Sequence, residues 1–104
     1  MNLHELREYI QDEIHNASDD MQLTIATRAG KALEIGIKIN EALGTLGDCP
    51  SASDFHEWDN WWSAYNRLVT NRYRCDGILS VCLEIMGFDY RDVQNVIRQS
   101  TNIY

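Results

Sequence analysis

The densest polar cluster near aromatic residues is Asp54, His56, Glu57 and Asp59. A histidine among carboxylates can hold a divalent metal or exchange a proton. His56 and Glu57 are adjacent in sequence, however, and adjacent residues on a helix do not face each other. Asp54 and Glu57 suit a helix's first turn instead, where the dipole favours acids. His4 and His15 lie eleven residues apart, about three turns, and converge with no other ligand. Arg67, Arg72 and Arg74 carry a different chemistry, because guanidinium groups fork onto phosphate oxygens and stack on rings such as Tyr65 and Tyr73. Arg67, Arg72, Arg74 and Tyr65 are therefore the candidate residues for binding a phosphate-bearing ligand. The plainer reading is a solvated basic helix end pairing with acids of residues 5–20. The sequence has no GxSxG, P-loop, GxGxxG or HExxH pattern. We assign no catalytic residue, no metal ligand and no cofactor, and read the chain as a non-enzyme.

The net charge of −7 is unevenly spread. Arg7 is the only lysine or arginine among residues 1–20, against Glu5, Glu8, Asp12, Glu13, Asp19 and Asp20. Direct nucleic-acid binding is not expected, since such chains show a basic footprint. An acidic face suits a basic protein partner, for example one that itself binds nucleic acid, while also serving solubility. Glu5, Glu8, Asp12 and Glu13, with Trp61, form the candidate interaction surface. Cys49, Cys75 and Cys82 show neither CxxC nor cysteine–histidine metal spacing, which fits free thiols in a reducing cytoplasm, or a host's cytoplasm for a viral protein. No apolar run approaches the roughly 20 residues of a membrane span.

These residues must be positioned by elements that the apolar spacing predicts. At 104 residues, with one proline and 44% hydrophobic content, the chain reads as a single helix-rich domain spanning 1–104. Residues 2–17 read as a helix capped by Asn2, with Leu3, Leu6, Ile10 and Ile14 as its stripe. Residues 20–46 fit one long helix, although alternation in MQLTIAT and ALEIGIKI also permits a β-hairpin over about 21–39. GTLGDCPSAS is the connector, and Ser53 is the expected cap of the next helix. That next stretch, residues 54–73, holds all three tryptophans and reads as the core-forming seam. A break or kink near Asp76-Gly77, favoured by Gly77 over one helix running through 54–86, a buried stretch over 78–86 and a last helix from Asp89 with Tyr90, Val93, Val96 and Ile97 inward complete the pattern.

The segment CDGILSVCLEIMGFDYRDVQNVI resembles the last helix pair of MazG-type nucleotide pyrophosphohydrolases, all-α oligomers that hydrolyse nucleoside triphosphates using magnesium. Asp76, the Gly87-Phe88-Asp89 loop and Val93 match that outline. The family's paired carboxylates do not follow. Tyr73 stands where a glutamate partner of Asp76 belongs, and Glu34 and Glu41 are seven apart.

The expectation is an all-α bundle of four to five helices, with α+β as the alternative. Its function is that of a small acidic interaction protein, homo-oligomeric, inhibiting or adapting a larger protein partner. In general style it is similar to phage-encoded inhibitor proteins. The alternative is a nucleotide or other phosphate-ligand binder, or a degenerate MazG-like hydrolase.

Overall fold

The computed structural model describes residues 2–51, 53–89, 91, 92, 94, 95 and 98. Among them run three helices in order, α1 (Leu3–His15), α2 (Asp20–Leu46) and α3 (Phe55–Ile85), and no strand. The all-α expectation holds, while the helices delimited among the described residues number three rather than the expected four to five. Residues 91, 92, 94, 95 and 98 are also helical. The apolar positions predicted for a last helix, Tyr90, Val93, Val96 and Ile97, lie outside the described residues, as does the tail 100–104.

Each helix starts on a side-chain cap. The Asn2 side chain accepts from the Glu5 N–H, that of Asp19 from Gln22, and that of Asp54 from Glu57. Such a cap contributes about 1 kcal/mol. Asp54 thus takes the role expected of Ser53. At the far end of α3, Gly87 adopts φ +99°. The Gly87 N–H then reaches Glu84 O, and the Phe88 N–H reaches Leu83 O. This paired closure of a helix end needs a residue that tolerates the left-handed region. Phe88 folds back to meet Tyr9 of α1 edge-on, ring centroids 4.7 Å apart.

Two expectations are corrected here. The β-hairpin alternative at 21–39 is replaced by continuous helix, because Ala26, Ala29, Ala32, Leu33, Gly36, Ile37 and Asn40 bury at helical spacing. The small residues on that stripe are used for close approach. A Cβ at Gly30 would lie 3.3 Å from Ile10 Cγ2 of α1, and one at Gly36 would collide with Arg72 Nη1 of α3. The break near Gly77 is likewise absent. Gly77 faces open space, and Cys75, Leu79, Cys82 and Leu83 carry the buried stripe straight past it.

The core joins Leu6 and Ile10 of α1, Ala29, Ala32, Leu33 and Ile37 of α2, and Leu79, Cys82 and Leu83 of α3. With only 13 residues, α1 covers one end of a hairpin whose arms have 27 and 31. The other end has two helices. The molecule is accordingly long, 57 × 24 × 19 Å, and its 16.3 Å radius of gyration exceeds the roughly 13 Å of a compact domain this size.

This overturns the reading of residues 54–73 as the core seam. Phe55 is 66% exposed and Trp62 43% exposed, and no aromatic residue of that stretch is fully buried. The helical spacing holds, but α1, which would cover this face, packs against the opposite end.

Candidate functional site

The two-helix end carries a continuous pile of rings on α3. Phe55, Trp58, Trp62 and Tyr65 follow one another at steps of three and four residues, which places neighbours on one side of a helix. Trp58 and Trp62 are nearly parallel, with centroids 5.9 Å apart and an interplanar angle of 6°. Trp62 stacks on Tyr65 at 5.8 Å, and Trp61 on Tyr65 at 5.0 Å and 10°. The Trp61 Nε1–H donates to Gly47 O at 3.2 Å and so ties α3 to the end of α2. Gly47 can turn the chain there because its φ is +75°. Beside this bond Leu43, Gly44, Gly47, Asp48, Trp61, Tyr65 and Val69 line a pocket of about 280 Å³.

The acidic residues Glu5, Glu8, Asp12 and Glu13 are all exposed on α1. Glu8 lies 3.0 Å from His4 Nε2, one turn away. Trp61 does not join them. Ile10 of α1 packs at Gly30, and Trp61 bonds at Gly47, positions separated by about 25 Å of helix at 1.5 Å per residue. The candidate interaction surface is therefore two surfaces, an acidic one and an aromatic one, at opposite ends.

The arginines also divide. Arg67 is exposed. Arg74 lines a groove with Arg28, Gly77, Ile78, Val81 and Cys82. Arg72 points the other way, is 5% exposed, and sits in the space Gly36 leaves open. Its Nη1 is 2.8 Å from Asp76 Oδ1, an ion pair between residues one turn apart on α3. Burial raises the Asp76 pKa above the ordinary carboxylate value, and Arg72 offsets part of that rise. Burial also raises the Cys75 and Cys82 thiols, which disfavours the reactive thiolate. Arg28 was missed in sequence because it sits in RAGK, the turn of the rejected hairpin. Its seven-residue step to Ile35, another exposed residue, marks an outer strip of α2.

Of the carboxylates considered for magnesium, Glu34 accepts a two-pronged bond from Arg7, at 2.7 Å from Nε and 2.9 Å from Nη2. Glu41 is exposed and Asp76 is held by Arg72. Among the described residues no group of three or more histidine, cysteine, aspartate or glutamate side chains converges. No described helix is long and apolar enough to cross a membrane. Compared with protein-family models, with curated proteins and with solved structures, the chain matches none of them.

Proposed function

We propose that this chain is a non-enzymatic interaction protein, self-associating, which inhibits or adapts a larger basic protein in the cytoplasm. The observation that carries the reading is the aromatic pile on α3, left at the surface where α1 does not reach. Stacking on neighbouring rings stabilises Phe55 and Trp62 only modestly while they stay this exposed, and an exposed aromatic patch of this kind suits coverage by another chain. Aromatic side chains are enriched at contacts between proteins. The carboxylates of α1 supply a complementary field for a basic partner and speed encounter. The test is affinity capture from a host lysate with the wild-type chain and with a Phe55→Ser, Trp62→Ser double variant as baits. One partner enriched by the wild type and lost with the double variant is expected. No enriched partner at micromolar bait overturns the reading.

A second reading rests on Arg28 and Arg74 sharing one groove with Ile78 and Val81. Two guanidiniums over an apolar floor suit a nucleotide or other phosphate-bearing ligand. A panel of nucleotides, with and without magnesium, would raise the melting temperature under this reading, because binding to the native state stabilises it. A flat panel rejects it, together with a residual hydrolase of the MazG type.

A further inference from the structure

The geometry points to a cation-binding pocket at the α2–α3 turn, where Asp48, Trp61 and Tyr65 receive the guanidinium of an arginine side chain from a basic protein partner. This inference rests on the proposed interaction role and names the contact through which it would act. Three features of one small volume favour a cation. Asp48 is an exposed carboxylate on the rim. The pocket abuts the C-terminal end of α2, whose last four carbonyls lack intrahelical amides and whose last turn contains no basic residue, so the negative end of the dipole is uncompensated by its own helix. Trp61 and Tyr65 add two stacked aromatic rings to the lining, and aromatic rings attract cations, arginine more often than lysine.

Size and shape narrow the ligand further. The pocket's 280 Å³ falls just below the span of about 300–1,000 Å³ typical of sites for drug-sized molecules. A planar guanidinium on an alkyl stem suits such a space, with Leu43 and Val69 available to contact the stem. A nucleotide is disfavoured by both size and charge. Trp61 is also fixed before any ligand arrives, through its bond to Gly47 O and its stacking on Tyr65. Pre-arranged walls reduce the ordering that binding requires.

The experiment titrates the full chain with a short arginine-rich peptide, a matched glutamate-rich peptide, and tetramethylammonium, following two-dimensional amide spectra. The Trp61 indole N–H is a reporter inside the site. The arginine peptide should shift that resonance and the amides of 43–48, and the glutamate peptide should not. Asp48→Asn should weaken the peptide about fivefold, as loss of one exposed charge contact would, and Asp48→Lys should abolish the shifts. Both variants alter an exposed loop residue, and unchanged melting curves would separate lost binding from lost folding. Shifts confined to α1 residues 5–13 overturn the pocket while leaving a basic partner standing. Equal binding by wild type and Asp48→Asn overturns it too. Tetramethylammonium binding as tightly as the peptide assigns a small free cation and overturns the partner side chain. If the arginine peptide shifts nothing, the pocket is rejected, and the capture experiment then decides the interaction role independently.

Discussion

The two ends of this molecule bury different kinds of side chain. At the three-helix end, small and aliphatic residues close the core: Leu6, Ala29, Leu33, Leu79 and Leu83 are essentially inaccessible. At the two-helix end, the largest side chains in the chain stack on one another and remain half in water. Apolar area alone would have put the core among the tryptophans, since each can bury roughly 150–250 Å². Where the core forms depends instead on the number of helices meeting there. A two-helix contact leaves an outer half to each helix, however aromatic it is. The aliphatic end closes the core, while the aromatic end stays exposed.

Stability measurements separate the two ends most strongly. Leu79→Ala and Leu83→Ala should each destabilise the chain by about 2–5 kcal/mol, the usual range for truncating a fully buried leucine. Trp62→Ala removes more atoms, yet should lose only about 1 kcal/mol, that of partial burial and one stacked pair. Urea unfolding midpoints of the three variants decide the matter. A larger shift for Trp62→Ala than for Leu79→Ala would mean that the aromatic end is the true core.

Between the two ends lies the Gly36–Arg72–Asp76 layer, which predicts the next largest effect. A Cβ at Gly36 meets the Arg72 guanidinium directly, so Gly36→Ala must push a buried charge from its place. Its loss should be about 2–3 kcal/mol, as for other disturbed buried ion pairs and overpacked sites. Coupling identifies the cause. In an Arg72→Met background the alanine should cost far less, because the methionine stem is uncharged and able to yield. An undiminished cost would trace the effect to the helix backbone and not to the guanidinium.

A milder change probes the hydrogen bond that ties down the aromatic end. Trp61→Phe keeps a ring on the pile but removes the donor to Gly47 O. A loss of about 1 kcal/mol is expected, the net worth of one hydrogen bond. Faster amide exchange confined to the turn region 44–51 would show that this bond fastens the open end locally. Protection lost throughout α1 as well would show the ends to be one cooperative unit.

Much of the fold was legible in local sequence. The cap at Asn2, the stop at Gly87 and the small-residue stripe of α2 follow from side-chain chemistry acting within four residues, whereas the cap of α3 falls on Asp54, one residue past the expected Ser53. The end at which α1 docks did not follow, because that choice depends on Gly30 admitting Ile10 and on Phe88 turning back onto Tyr9. Both contacts bridge distant parts of the chain. For the same reason the arginines could be recognised as a group but not sorted: Arg72 is inward because Gly36 lies opposite, a pairing no spacing on α3 reveals. Trp61 stands out by residue type, whereas Asp48 looks like any polar residue of the connector GTLGDCPSAS.

The smallest predicted effect concerns Asp76, at the boundary between the ends. Its carboxyl is raised above the ordinary value chiefly by burial, with Arg72 acting in the opposite direction. A folded-state pKa above the unfolded one, which is about 3.9, means that folding favours the protonated form. The stability this lends is complete below the unfolded pKa and is lost as pH rises through the folded one. Asp76→Asn places a non-titrating amide in the same space. The stability of wild type relative to this variant should therefore increase on acidification from neutral pH, levelling off near pH 4, while the many exposed carboxylates cancel between the two proteins. Urea midpoints at several pH values measure it. A relative stability that falls on acidification would mean that Arg72 outweighs burial, making the pair a net fastener of the hairpin rather than a charge tolerated for the sake of the space beneath Gly36.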